Sequence, residues 1–330
     1  MHQNITPHKK QSSSFAHIIR ENYPLKHLTW FQTGGNARYF SAPESPEELS
    51  YAINYARTQD FPIFMLGQGA NILIHDEGYK GLVVKPHLKK IETVKKTESH
   101  AYVKAESGAC FQELISWCLD HNIIGLEEFS GIPGTVGGSV FINIHYFEYL
   151  LSNFIDSAEV ICKHTGNIHT VDQSWFNFGY NTSKLHEKEH YLASATFKLS
   201  TCDSLTSAYA RGKRDQIIRH RNARYPQSRT CGSFFRNFFD HEVTLKTAQG
   251  KPLIYVAYYL DKIGVKGYLK VGDAIVSHKH ANMIVNQGNA TTDDIVKLTK
   301  QMQDLVYESF GIKPQPECQL IGFASSPYAQ

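Results

Sequence analysis

Ser233, in Gly232-Ser233-Phe234-Phe235-Arg236-Asn237, and Glu317, in Pro316-Glu317-Cys318, are the residues best placed to do chemistry. No G-x-S-x-G surrounds Ser233 and no Asp/His partner is evident, so it does not read as a hydrolase nucleophile. A serine that gives up a proton needs less: reach and a relay. A hydroxyl framed by glycine and two aromatic rings suits the wall of a pocket, although the same residues suit a turn that caps the next element. Glu317 could equally be a surface carboxylate or, between a helix end and the apolar Leu320-Ile321, a buried one. Two glycine stretches offer a different chemistry, Gly67-Gln68-Gly69-Ala70-Asn71 and Gly131-Ile132-Pro133-Gly134-Thr135-Val136-Gly137-Gly138-Ser139. The second suits neither helix nor central strand. Such runs let backbone N–H groups approach a bulky anion. Either alone could be a tight turn, since neither is G-x-G-x-x-G and no P-loop lysine follows. Two such loops in one region suit a dinucleotide with two phosphates. His278 and His280 would share a face if they lie on a strand. No third ligand is evident, so a solvated strand end is expected rather than a metal site.

The elements that position these residues can be read from periodicity. Ser45-Pro46-Glu47-Glu48 starts a helix, with Ser45 as N-cap and Glu48 closing a capping box. Leu49, Ala52, Ile53 and Ala56 follow at helical spacing. Residues 61–66 form an apolar strand that runs into the first glycine loop, and a second strand surrounds Val83 and Val84. Phe111, Leu114, Ile115, Cys118 and Leu119 make an apolar helix face before the long glycine loop. Strands are expected at 158–162 and 191–199, a basic helix at 207–221, a short helix at 257–263 and a strand at Ile284-Val285. A long helix closes the chain: Thr291 caps it, Ile295, Leu298, Met302, Leu305, Val306 and Phe310 line one face, and Gly311 stops it. The expected division is a flexible arm (1–24), two α+β units (25–86 and 87–206) and a third unit (207–330).

The 330 residues fit about two or three domains, and 42% hydrophobic residues can supply ordinary cores. A net charge of +3 tolerates anionic small molecules but carries no nucleic-acid signature. No apolar run approaches a membrane span, and residues 1–22 lack the apolar core of a signal peptide. The six cysteines form no close pair in sequence and read as reduced thiols of a cytoplasmic protein.

Together these segments resemble the UDP-N-acetylenolpyruvoylglucosamine reductase family. The resemblance covers residues 28–322, with its pieces in family order: Thr33-Gly34-Gly35-Asn36-Ala37; Leu66-Gly67-Gln68-Gly69-Ala70-Asn71-Ile72-Leu73; Gly125-Leu126-Glu127 and Ser130-Gly131-Ile132-Pro133-Gly134-Thr135-Val136-Gly137-Gly138; Gly232-Ser233-Phe234-Phe235-Arg236-Asn237; Ile263-Gly264-Val265-Lys266-Gly267; His280-Ala281-Asn282; and Phe310-Gly311-Ile312 with Pro316-Glu317. It implies an α+β fold in which two subdomains of the vanillyl-alcohol-oxidase type hold FAD and a C-terminal domain covers the substrate. It also implies NADPH as hydride donor and a small UDP-sugar, an enol ether conjugated to a carboxylate, as substrate. By the same resemblance Ser233 is the proton donor and Glu317 sits near the substrate carboxylate. FAD falls to 67–71 and 131–138, and Tyr180, Arg224, Arg236 and Asn237 become substrate contacts. A monomer is expected, with neither nucleic acid nor membrane as partner.

This chain departs from the family pattern in places. Where the family has Tyr-Arg-x-Ser-x-Phe, it reads Tyr180-Asn181-Thr182-Ser183-Lys184-Leu185, so an active-site arginine is replaced by an uncharged amide. Where the family has small residues beside the flavin loop, it has Asn143-Ile144-His145-Tyr146-Phe147-Glu148. Arg236 is the first choice to restore the missing charge, with Arg224 and Lys266 behind it. Two other readings stay open: an enzyme of the same flavin fold with another substrate, and a flavin-binding protein of reduced activity. Neither glycine loop contains a His or Cys that could tether flavin covalently, which argues against the first.

Overall fold

The computed structural model describes residues 15–328. Its backbone contacts divide the chain into two compact units. One holds the described residues up to 23 with 37–67 and 80–212, and the other holds 24–36, 68–79 and 213–330. This is a different cut from the sequence-based one. The stretches 24–36 and 68–79 join the C-terminal part of the chain, and the basic helix Ser204–Arg224 runs across position 212. Residues 1–14 of the expected arm lie outside the described residues. The arm's last part is not loose, because Ile19–Pro24 is a strand.

The first unit contains two larger sheets and the two-stranded hairpin of His145–Tyr146 and Tyr149–Leu150. One is four-stranded, in the order Ile19–Pro24, Asn36–Ser41, Tyr79–Val84, Ile63–Met65. Its last two strands run parallel, Ile63 beside Leu82 and Met65 beside Val84. Helix Pro46–Thr58 buries Leu49, Ala52, Ile53 and Ala56 against Ile63, Leu82 and Val84, which is the periodicity read from sequence. Ser45 Oγ accepts the Glu48 N–H at 3.2 Å as expected. The Glu48 carboxylate, however, takes the N–H of Glu44 at 2.7 Å, one residue beyond the reciprocal partner of a capping box.

The second sheet is antiparallel, in the order Ile168–Asp172, Ile155–Cys162, His190–Thr201, His100–Glu106, Ile91–Lys96, with Ile123–Ile124 pairing the end of His190–Thr201. The sequence reading lacked the 91–106 hairpin. Ile91–Lys96 is a lysine-bearing edge strand, mostly exposed, and charge on an edge protects it from pairing with other chains. His100–Glu106 does alternate, but two of its three buried side chains are alanines, Ala101 and Ala105 beside Val103. Helix Phe111–Asp120 packs Phe111, Leu114, Ile115, Cys118 and Leu119 into this sheet's core.

The glycine run 131–139 is not wholly irregular, contrary to the propensity argument. Val136–Phe141 is a short helix. Thr135 caps it, its Oγ1 accepting the Gly138 N–H at 3.2 Å, and Val136 and Val140 are fully buried. A cap and core packing outweigh two glycines in so short a segment.

The second unit's core gathers Phe31, Leu73, Phe234, Phe235, Tyr259, Leu260, Ile295, Met302 and Val306. Helix Thr292–Phe310 supplies one wall. Thr291 and Asp294 exchange side chain-to-backbone hydrogen bonds of 3.1 and 2.9 Å at its start. Gly311, at φ +70°, ends it in the left-handed region. Strand Gln319–Ile321 pairs in parallel with Ile72–Ile74. A three-stranded sheet orders Lys270–Val271, Ala274–Val276 and Ile284–Asn286. His278 and His280 lie in the turn after Ala274–Val276, not on a strand, so they share no strand face. Among the described residues no group of three or more His, Cys, Asp or Glu could hold a metal.

Candidate active site

In the second unit Ser233 and Glu317 are fastened to one frame. Gly232, at φ +79°, takes the conformation that glycine tolerates best and turns the chain into the Ser233 segment. Ser233 then pairs with Met283 on one side, and Phe235 with Pro316 on the other. The Phe234 N–H donates to Asn282 O at 2.8 Å, while Phe234 O accepts the N–H groups of Glu317 at 2.8 Å and Cys318 at 3.2 Å. The Asn282 side chain closes the frame, with Oδ1 accepting the Phe235 N–H at 3.0 Å and Nδ2 donating to Phe235 O at 2.7 Å. Phe234 and Phe235 anchor their rings in the core, and Ser233 and Glu317 stay half-buried. Two residues later the same strand meets the first glycine loop: Gln319 N–H donates to Asn71 O at 3.1 Å. Serine, glutamate and the end of that loop therefore lie on successive neighbouring segments. Gly69 in the loop is structural. At φ +70°, a side chain there would put its Cβ 2.3 Å from Leu28 O.

The cations are arranged differently from expectation. Arg236 is held in a fork by Glu242, with Nη1–Oε2 at 2.7 Å and Nη2–Oε1 at 2.8 Å, and its guanidinium lies 4.3 Å from the Phe239 ring. Its Nη1 also donates to Asn237 O at 2.9 Å. The charge is matched in place by a carboxylate, and that carboxyl is in turn held below its ordinary range by the arginine's hydrogen bond. The same guanidinium braces the Asn237 backbone. Arg224 ends the long basic helix, exposed, with its guanidinium 5.7 Å from the Tyr225 ring. Lys266 pairs with Asp261 at 3.1 Å.

Sequence reasoning places His280 on a solvated strand end. It is half-buried, its ring 5.3 Å from Tyr225, and its Nδ1 accepts the Asn282 N–H at 3.3 Å. Burial first, then Arg224 and Lys266, push its pKa down to about 4. A histidine with a depressed folded-state pKa is neutral in the fold and gives stability that is complete above the unfolded pKa of about 6.5. That stability is lost as pH falls from there toward about 4, and in total it amounts to roughly 3 kcal/mol. Urea unfolding of a His280→Asn variant across pH 4–7 should accordingly show a weaker acid-side loss than the parent. Parallel losses would mean that His280 does not titrate with folding.

In the first unit the two glycine stretches touch. A Cβ on Gly67 would stand 2.9 Å from Thr135 Oγ1, so only glycine permits this approach. Lys85 Nζ donates to Gly67 O at 2.7 Å, and burial ahead of the neighbouring Lys89 lowers its pKa. One side chain, Gln112, fixes the start of the second stretch. Its Oε1 accepts the Gly131 N–H at 2.8 Å and its Nε2 donates to Phe129 O and Ile132 O at 3.2 and 2.9 Å. Ile132, Pro133, Gly134 and Gly138 are half-buried, and Val136 is core. A Cβ on Gly137 would lie 3.0 Å from Ser107 O, and Ser107 Oγ is buried with no hydrogen-bond partner. Beyond the short helix, Asn143 Nδ2 donates to Gly179 O at 3.2 Å and its Oδ1 accepts the Ser152 N–H at 2.9 Å. His145 lies against Tyr180, ring centres 5.0 Å apart. Asn181, at φ +56°, occupies the tight loop closed by Gly179 and Thr182.

Comparison with known proteins settles the family. The model of an FAD binding domain matches residues 37–172, and that of the UDP-N-acetylenolpyruvoylglucosamine reductase C-terminal domain matches 224–321. UDP-N-acetylenolpyruvoylglucosamine reductase of Clostridium tetani is 32% identical over 305 residues, 92% of each chain. The chain belongs to the UDP-N-acetylenolpyruvoylglucosamine reductase family. The reductase of Listeria innocua is 30% identical over 312 residues, 94% of this chain and 97% of its own. The crystal structure of the Thermus caldophilus reductase covers 92% of this chain and 99% of its own, with 25% identity and a TM-score of 0.73. This reductase is an α+β, flavin-dependent oxidoreductase that uses FAD and NADPH in peptidoglycan precursor synthesis. Its first unit fits the cofactor. The close Gly67–Thr135 approach keeps bare backbone at the loop, and the orphaned Ser107 hydroxyl is a donor of the kind a phosphate or ribityl chain takes up.

Proposed function

We propose that this chain reduces UDP-N-acetyl-3-O-(1-carboxyvinyl)glucosamine to UDP-N-acetylmuramate, with Ser233 as proton donor and Glu317 at the substrate carboxylate. One observation carries the assignment of roles: Phe234, next to Ser233, is hydrogen-bonded to Glu317, and Gln319, just beyond, to Asn71 of the first glycine loop. When bound, FAD supplies the hydride that reaches the β-carbon of the enol ether. Charge then develops on the substrate's carboxylate, and donors aimed there stabilise it by about 3–4 kcal/mol each. The Ser233 hydroxyl gives its proton to the adjacent α-carbon. Glu317 beside a second carboxylate is driven toward its protonated form and donates a hydrogen bond.

Residues 67–71 and 131–138 hold FAD. Tyr180, Arg224, Arg236 and Asn237 contact the substrate, and Arg236 also holds the Asn237 backbone. The parts 25–86 and 87–206 serve the cofactor and 207–330 the substrate, which accords with the spans of the two family models. The reaction belongs to the cytoplasm and to a monomer. No helix among the described residues is long and apolar enough to cross a membrane.

The purified chain should be yellow, releasing FAD on denaturation, and should turn over NADPH repeatedly only when the enolpyruvyl sugar is present. A folded, colourless protein that cannot be reconstituted with FAD would sink the reading. NADPH oxidation that ignores this sugar but answers to another would keep the flavin and replace the substrate.

A further inference from the structure

The first unit holds a charge that its own residues do not answer. Lys85 follows the strand Tyr79–Val84, and its backbone is laid along 41–43: the Lys85 N–H donates to Ser41 O at 2.8 Å and the His87 N–H to Pro43 O at 2.7 Å. The side chain is half-buried and spends one of its three ammonium donors on Gly67 O at 2.7 Å. The charge that bears on it, Lys89, has its own sign, and among the described residues no carboxylate pairs with it. Of the charges around neighbouring His87, Lys89, Lys85 and Arg20 are positive and the exposed Glu44 is the negative one. A half-buried cation without a counter-charge is costly to keep.

The same lysine closes a circuit of four segments, all in this unit. Gly67 comes so near Thr135 that a Cβ would stand 2.9 Å from Oγ1. Thr135 caps the helix whose Gly137 N–H donates to Ser107 O at 2.8 Å. Gly108 is backed by the Lys85 segment, where its Cβ would fall 2.2 Å from Pro86 O and 2.8 Å from Leu88 O. Lys85 Nζ then returns to Gly67. A glycine makes each of the first three approaches, so bare backbone lines the circuit. Its one buried hydroxyl without a hydrogen-bond partner is Ser107 Oγ.

We propose that the Lys85 ammonium is the counter-charge of the FAD diphosphate. The proposal rests on the reading of residues 67–71 and 131–138 as the FAD site. Burial, and then Lys89, press the uncovered ammonium toward its neutral form. An anion brought against it reverses that pressure, so one contact satisfies both the protein's charge and the cofactor's. A lysine suits this place because it meets phosphate as a point charge and needs no planar fork. Its hydrogen bond to Gly67 O fixes that charge at the glycine stretch. The Ser107 hydroxyl adds a neutral donor for the same cofactor. NADPH carries a diphosphate too, but the circuit that holds Lys85 is the cradle of the resident flavin.

The test is the affinity of the full chain, stripped of flavin, for FAD, read by quenching of flavin fluorescence. Lys85→Met keeps the apolar stem and removes the charge. It should bind FAD about ten- to a hundredfold more weakly, the worth of a charge-assisted hydrogen bond, and its holoenzyme should shed FAD on dilution correspondingly faster. The parent's affinity should fall as sodium chloride is raised, and the variant's should fall much less. The flavin-free variant should melt no lower than the flavin-free parent, because an unpaired cation has gone. A residue that only tied down Gly67 would behave otherwise. Its loss would lower the melting temperature of the flavin-free chain and weaken FAD equally at every salt concentration, and that result overturns the proposal. A raised KM for NADPH in FAD-saturated Lys85→Met, with FAD affinity unmoved, gives the ammonium to the other diphosphate and also overturns it. A parent chain that binds no FAD overturns the reading of the cradle, and the proposal falls with it. A parent that binds FAD no more tightly than Lys85→Met overturns the proposal alone.

Discussion

Replacing Ser233 with alanine leaves reduction of the flavin by NADPH near the parental rate and slows its reoxidation by the enolpyruvyl sugar by about 10²–10⁴-fold, the usual worth of a positioned proton donor. The hydroxyl is required only where carbon is protonated, so the loss belongs to the second half-reaction. The substitution spares the frame. The hydrogen bonds that fix this segment come from the backbone of Phe234 and Phe235 and from the Asn282 side chain, none of which alanine removes. Stopped-flow absorbance of the two half-reactions separates the roles. Equal slowing of both would make Ser233 a structural or flavin-binding residue and leave the proton donor to be found elsewhere.

Gly67→Val should act before chemistry begins, on cofactor binding instead of on a half-reaction. The added Cβ would stand 2.9 Å from Thr135 Oγ1, and two further carbons would crowd a hydroxyl already used to cap the Val136–Phe141 helix. Overpacking of this kind costs about 1–3 kcal/mol. Falling on the proposed cofactor cradle, it should weaken FAD binding by up to roughly 100-fold. The variant should purify pale, keep the parent's circular dichroism and regain partial colour only at high added FAD. Gly67→Ala should lie between the two. A valine variant as yellow as the parent would show that the approach of Gly67 to Thr135 has no part in cofactor binding.

The sequence made the caps and long amphipathic faces legible because they are local. Ser45, Thr291 and the Ile295–Leu298–Met302–Val306 stripe depend on residues a few positions away. Ser233 and Glu317 could be picked out by residue type, but their common attachment through Phe234 is a long-range pairing that no spacing reveals. Arg236 shows the limit for charges. Its type suggests a ligand for an anion, and the structure pairs it with Glu242, which the sequence offers as one carboxylate among many. The glycine run misled in the other direction, since the burial of Val136 and Val140 decides its helix and propensity does not. His280 was dismissed as a solvated strand end because alternation was assumed beyond Val276, where the chain in fact turns.

The parallel pairing of Gln319–Ile321 with Ile72–Ile74 has a consequence for how the chain comes into being. Segments 24–36 and 68–79 emerge early from the ribosome, yet their partners lie at 213–330. Through most of synthesis the Ile72–Ile74 strand is an apolar edge waiting for a mate. Contacts of such sequence separation form slowly, and an open edge invites pairing with other nascent chains. The first unit, whose sheets are complete once residue 201 has been made, can fold while the second is still being translated. A ribosome stalled before Gln319 would therefore release a chain with a finished first unit and an unmated strand, the form in which this protein is most exposed to aggregation and proteolysis.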